Sequence, residues 1–133
     1  MNAPDWDQDP VWYHGDFHTG NLLAADGRIG AVLEFGSLGI GDPANDLMMA
    51  FTLFSPGPRA EFRQALEVDE ATWLRGRAIA LAAGLTAYTA YVATNFQIRA
   101  ATTRQILAAV EGSSAEARIR SWSTSGSTSV IMR

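Results

Sequence analysis

The chain has 133 residues, 47% of them hydrophobic, which suffices for one domain with its own core and excludes a disordered chain. It has no cysteine, so disulfides, zinc–thiolate sites and thiol nucleophiles are excluded, and its ten basic residues are all arginine. The net charge of -4, with the arginines scattered, argues against a nucleic-acid partner.

Residues 1–10 form an acidic lead-in without the apolar run of a signal peptide, which fits a cytoplasmic location. Val11-Trp12-Tyr13 is a short β-prone run. Residues 14–20 hold two glycines among polar side chains and read as a loop. Two strands, Asn21 to Ala25 and Arg28 to Phe35, flank Asp26-Gly27, a two-residue hairpin turn. The glycine-rich stretch 36–41 reads as another loop. Asp42-Pro43 then opens a helix, with Asp42 as cap and proline at the first helical position. Residues 55–58 (Ser-Pro-Gly-Pro) stop it. A short amphipathic helix follows, with Phe62 and Leu66 four apart.

Asp69 caps the next helix, whose apolar stripe is expected at Leu74, Ala78, Leu81, Leu85, Tyr88 and Val92. Trp73, Tyr88 and Tyr91 are expected to pack, and Arg75, Arg77, Arg99 and Arg104 to lie on solvated faces. The uncharged run from Ala78 to Ile98 is long enough to span a bilayer, but its alanines, threonines, Asn95 and Gln97 point to a core helix and to no membrane partner. A last helix is expected from Gln97 to Val110, ending near Gly112. Residues 113–133 are rich in serine and threonine and read as a disordered tail. The layout is α+β: a hairpin followed by helices.

The chemistry-bearing segment is His14-Gly15-Asp16-Phe17-His18-Thr19-Gly20-Asn21. Phosphoryl transfer needs a carboxylate at the attacking hydroxyl and hard oxygen ligands for a divalent metal. An Asp with an Asn five residues later has the spacing of a kinase catalytic loop. The hairpin adds a geometric argument. If Ala25 pairs with Arg28, regular pairing sets Asn21 against Val32 and Thr19 against Glu34. Asn21, Leu23, Val32 and Glu34 then share one face, and Leu22, Ala24, Ile29, Ala31, Leu33 and Phe35 share the core face. Asn21 and Glu34 become diagonal neighbours, about 7–8 Å apart, able to converge on one metal ion.

His-Gly-Asp-x-His-x-x-Asn, a hairpin, an acidic residue before Phe-Gly, and Gly-Asp-Pro-x-x-Asp-Leu together resemble the aminoglycoside phosphotransferase family, from about Val11 to Val110. The resemblance implies a protein-kinase-like fold. It also implies transfer of the γ-phosphate of ATP or GTP, with Mg2+, to a hydroxyl of a small molecule, an aminoglycoside-like antibiotic among the candidates. It implies Asp16 as the base, His18 beside the transferred phosphate, and Asn21 and Glu34 as metal ligands. His14 and Asp46 would support the loop. Glu34 stands where the family usually has aspartate.

Only thirteen residues precede His14, without a glycine-rich phosphate loop, and the chain has no lysine. Residues 1–112 are therefore expected to be a C-terminal catalytic lobe: catalytic loop 14–21, hairpin 21–35, helical part 42–111. The expected partner is a missing N-terminal nucleotide-binding lobe or a second copy. Two other functional readings stand beside the phosphotransferase: a non-catalytic fragment or pseudoenzyme, and a metal-dependent hydrolase built on His14, Asp16 and His18.

Overall fold

The computed structural model describes residues 3–125, with side chains through Val110. It is α+β, with two small antiparallel sheets ahead of the helices. The first sheet pairs β1 (Val11–Tyr13) with β4 (Gly39–Gly41). Trp12 lies opposite Ile40 and Tyr13 opposite Gly39. The stretch 36–41, expected to be loop throughout, thus contributes a strand. Gly39 permits this pairing, because a Cβ there would sit 2.5 Å from the Tyr13 ring.

The second sheet is the hairpin of β2 (Leu22–Ala25) and β3 (Arg28–Val32). Asp26 and Gly27 both take positive φ, 52° and 74°, as a tight two-residue turn requires. Ala25 pairs with Arg28 and Ala24 with Ile29, as regular counting expects. The register then slips: Leu23 pairs with Ala31 and Leu22 with Val32, leaving Gly30 as an extra residue. This bulge overturns the expected pairing of Asn21 with Val32. A one-residue slip exchanges the two faces of a strand, so the shared Asn21–Glu34 face does not form as regular alternation has it. The expected core face is not buried either: Ile29, Leu33 and Phe35 are exposed.

Two short 3-10 helices flank the hairpin, Thr19–Asn21 before it and Phe35–Ser37 after it. Asp42 caps the next element as expected, accepting from the Ala44 N–H at 2.9 Å, with Pro43 at the first position. That element is a 3-10 helix, Pro43–Met48, running into one α turn, α1 (Met49–Thr52). That turn already ends at Thr52, before the expected 55–58 stop, and that stretch instead begins α2 (Pro56–Leu66), where Pro56 again takes the first position. Phe62 packs on Phe54 at 5.0 Å between ring centres, whereas Leu66 is exposed.

Asp69 caps α3 (Glu70–Tyr91), accepting from the Thr72 N–H at 2.8 Å. The buried face of α3 is Thr72, Trp73, Gly76, Arg77, Ala80 and Gly84; of the expected stripe, Leu81 packs against the core, whereas Ala78 and Leu85 are exposed. Small residues win that face because neighbouring backbones come close. A Cβ on Gly76 would lie 2.5 Å from the Leu47 Cβ, and one on Gly84 would lie 3.0 Å from Ile106 Cγ1. Gln105 seals the α3–α4 contact, donating to the Ala80 carbonyl at 2.6 Å. The core joins Leu47, Met48, Ala50 and Phe51 to Trp73, Ala80 and Ala109.

Arg77 is buried, so it is not on the solvated face expected for it. Arg59 donates to the carbonyls of Ala50, Phe54 and Ala108 and lies over the Phe51 ring, tying α1, α2 and α4 together. The last helix, α4 (Phe96–Ser125), passes Gly112, where a stop is expected, and extends into the stretch read as tail; residues 126–133 lie outside the described residues. No described helix is long and apolar enough to cross a membrane.

Candidate functional site

β1 ends at Tyr13 and delivers His14 into the loop that carries Asp16. Two glycine-level constraints shape this loop. Gly15 has φ of +81°, and a Cβ on it would lie 2.3 Å from the Ser37 carbonyl oxygen. The loop backbone is therefore pressed against the 3-10 turn that follows Glu34. The close approach of Gly15 to Ser37 has no signature in the sequence beyond the glycine itself.

Asp46 holds the loop from the other side. Its carboxylate accepts the His14 N–H at 2.8 Å and the Gly15 N–H at 2.9 Å. Residue 46 sits four positions past the Asp42 cap, inside the 3-10 helix, so the cap and the brace belong to one short rigid element.

His14 is buried, and its ring bridges two segments. Nε2 donates to the Leu33 carbonyl at 2.8 Å, while Nδ1 accepts from the Asp16 N–H at 3.3 Å. The backbone donor fixes Nδ1 as the unprotonated nitrogen and Nε2 as the donor. Phe35 packs edge-on against the ring at 4.7 Å, and Phe17 lies at 5.5 Å. Both ring nitrogens are thus engaged within the fold. This argues against His14 as a metal ligand in the hydrolase arrangement, and among the described residues no group of three or more His, Asp or Glu is placed to hold a metal ion.

Asn21 is buried at the end of the Thr19–Asn21 turn. Its Nδ2 donates to Asp16 twice, to the main-chain oxygen and to Oδ2, each at 2.9 Å. Because both partners are acceptors, the amide nitrogen must face Asp16, which leaves the amide oxygen for other work. The Asp16 side chain is 45% exposed, and its second oxygen, Oδ1, lies 3.5 Å from His18 Nε2. His18 Nδ1 accepts from the Gly20 N–H at 3.0 Å and caps its own turn. The loop therefore presents a half-exposed carboxylate held on one oxygen by Asn21 and faced on the other by His18.

Leu33 is the backbone junction of the site. Its N–H donates to the Asn21 carbonyl at 2.9 Å, and its own carbonyl receives the His14 ring. Glu34 follows immediately, exposed and left-handed, with φ and ψ both 61°. A non-glycine residue in that conformation costs about 1–3 kcal/mol, a cost that recurs at functional turns. Glu34 is thus positioned by the Leu33 clamp and its own turn, not by the cross-strand register expected for it.

The hard oxygen donors available here, the Asn21 amide oxygen and the Glu34 carboxylate, are of the kind Mg2+ accepts. Such ions commonly take one or two protein oxygens and complete their shell with phosphate and water. The donor chemistry fits such an ion: the Asn21 carbonyl is bonded to the Leu33 N–H, and Glu34 follows Leu33 in the chain.

Arg75 was expected on a solvated face and is instead drawn into this region. Its Nε donates to Asp42 Oδ2 at 2.6 Å, and the Asp42 carboxylate holds the guanidinium pKa above its ordinary value. Nη1 also donates to the Pro4 carbonyl at 2.7 Å, and the guanidinium lies over the Trp6 ring. Helical spacing alone gave no signal for this, because Asp42 and Pro4 are 33 and 71 positions away.

A family model described as the phosphotransferase enzyme family matches residues 2–81, which includes the whole of this site. No curated protein and no solved structure matches the chain.

Proposed function

Since the chain belongs to the phosphotransferase enzyme family, we propose that it transfers the γ-phosphoryl group of ATP or GTP to a hydroxyl of a small molecule. The observation that carries this reading is the half-exposed Asp16 carboxylate, anchored on Oδ2 by Asn21 with Oδ1 turned toward His18. An acceptor hydroxyl would approach Asp16. Its oxygen forms the bond to the γ-phosphorus as the bond from that phosphorus to the β–γ bridging oxygen breaks. The hydroxyl proton passes to Asp16, and the nucleoside diphosphate leaves. Asn21 fixes the carboxylate's direction, and burial of His14 and Asn21 keeps the loop from rearranging. His18 lies beside Asp16 at Oδ1, where a transferring phosphoryl group would pass.

Asn21 and Glu34 would hold Mg2+. The ion supplies charge neutralisation at the phosphate oxygens. An aminoglycoside-like antibiotic is one candidate acceptor; amino alcohols and sugars are others. Glu34 in place of aspartate, together with the lack of lysine, favours a second reading, a non-catalytic fragment or pseudoenzyme.

The test is magnesium-dependent nucleotide turnover by the 133-residue chain against a panel of hydroxyl acceptors, with Asp16→Asn beside it. The expected result is acceptor-dependent phosphorylation that falls by about 10²-fold or more in the variant, the range of a lost general base. Nucleotide binding without turnover supports the non-catalytic reading. Turnover that survives Asp16→Asn unchanged overturns the assignment of the base.

A further inference from the structure

We propose that Arg75 is a positioning residue for the Asp16 loop, acting through Asp42 and the short helix that carries Asp46. The catalytic consequence rests on the phosphotransferase reading above; the positional claim does not.

The connection is made of two sets of hydrogen bonds joined by the short Pro43–Met48 helix. Arg75 Nε donates to Asp42 Oδ2 at 2.6 Å and Nη2 to Asp42 Oδ1 at 3.4 Å. Asp42 is held at the same time by its cap to Ala44, and the Asn45 side chain donates to the Asp42 carbonyl at 2.9 Å. The Pro43–Met48 helix thus starts from an anchored residue. One turn later, Asp46 receives both loop amides, His14 and Gly15. Arg75 itself is set by α3: Nη2 donates to Thr72 Oγ1 at 3.0 Å, and Thr72 donates from both its N–H and its hydroxyl to Asp69. The order is Asp69, Thr72, Arg75, Asp42, Asp46 and then the loop, so the long helix α3 fixes the height of the catalytic loop.

The same guanidinium holds the chain that leads into the site. Nη1 donates to the Pro4 carbonyl, and Trp6 stacks on the charged face. β1 begins five residues after Trp6 and ends one residue before His14. The segment that contains the loop, from Pro4 to Asp42, is consequently held at both ends by one side chain: upstream through Pro4 and Trp6, and downstream through Asp42. The Arg75 side chain is only 14% exposed and Asp42 21%, so the pair is screened less than a surface ion pair. Lysine offers a single point of charge and cannot reach Asp42, Thr72 and Pro4 together in one planar fork.

The test is amide hydrogen exchange by NMR on the full chain, comparing wild type with Arg75→Gln, Arg75→Lys and Asp42→Asn. The His14 and Gly15 amides, bonded to Asp46, are the reporters; amides of Ala80 and Ala109 in the helical core are the reference. In Arg75→Gln the reporters should exchange about tenfold faster with the reference unchanged, as expected for weakening one charged hydrogen-bond relay. Arg75→Lys should fall between the two. Asp42→Asn keeps the cap acceptor for Ala44 and should show the same selective effect in milder form, which decides the matter if Arg75→Gln does not fold. Reporter exchange unchanged in a folded variant overturns the proposal, as does a parallel rise in reporters and reference. Absence of turnover in the wild type would overturn the function reading while leaving this result to stand or fall alone. Where turnover is measured, Arg75→Lys should lower kcat with KM little changed, because the loop and not the acceptor contact is altered.

Discussion

The carboxylate of Asp46 accepts two consecutive backbone amides, those of His14 and Gly15, from 32 and 31 positions away in the chain. Among the described residues, no other side chain joins the loop to the helices so directly. Removing it leaves two amides facing a half-buried gap. Asp46→Ala should therefore destabilise the fold by about 2–3 kcal/mol, and Asp46→Asn, which keeps one acceptor, by about 1–2 kcal/mol. Urea unfolding followed by tryptophan fluorescence measures both. Midpoints equal to wild type would show that the brace contributes nothing.

Gly15→Ala should be worse than its size suggests. The new methyl group would meet the Ser37 carbonyl oxygen at 2.3 Å, at a φ of +81° that side chains resist. The expected loss is more than about 2 kcal/mol, strain and clash together. The same change at Gly27, which has positive φ but nothing within 4 Å, should cost only the backbone strain. The difference between the two variants isolates the contact between the Asp16 loop and the turn after Glu34.

Gly76→Ala probes the other close approach. A methyl group there meets Leu47 Cβ at 2.5 Å, an atom bonded to the main chain that no side-chain rotation moves away. Overpacking of this kind costs about 1–3 kcal/mol, despite alanine's better helix propensity. A variant as stable as wild type would mean that α3 and the Pro43–Met48 helix separate freely.

Asp69 makes a pH-dependent contribution whose sign is determined. The Thr72 N–H first, and the Thr72 hydroxyl second, lower its pKa below the ordinary 3.8. The folded state therefore favours the ionised form. Its stabilisation is complete above 3.8 and is lost as pH falls through the lowered folded value. Asp69→Ala should cost about 1 kcal/mol near neutral pH, the usual value of a helix cap. That difference from wild type should shrink in acid. A difference that persists unchanged at acidic pH would show that the ionised carboxylate is not its source.

Trp12 and Ile40 lie directly opposite each other across the first sheet and are 69% and 56% exposed. Phe35 and Leu38 are exposed nearby in sequence. Surfaces of this kind promote association. The chain should show a mass that rises with concentration in light scattering, and Trp12→Ser with Ile40→Ser should reduce the rise. A constant monomer mass at high concentration would remove this expectation.

Much was legible in the sequence because it depends on near neighbours. The Asp26-Gly27 turn follows from local backbone chemistry, as do the caps at Asp42 and Asp69 and the proline at the start of a helix. Asp16 and Asn21, five apart on one loop, also meet as the spacing allows. What a residue does across the fold was not legible. Gly30 breaks the hairpin register, so the regular count from Ala25 and Arg28 fails where it matters for Asn21 and Glu34. The face of α3 is chosen by close backbones at Gly76 and Gly84, which favour small residues over the leucines that periodicity selects. Arg75, lying on what looks like a solvated face, becomes the tie between the lead-in and Asp42 only because the tertiary fold brings Pro4, Trp6 and Asp42 to one guanidinium. The sequence by itself determined the chemistry available from His14 to Glu34. The tertiary structure decided its geometry, since the hydrogen bonds that aim Asp16 and hold its loop run between positions that only folding makes neighbours.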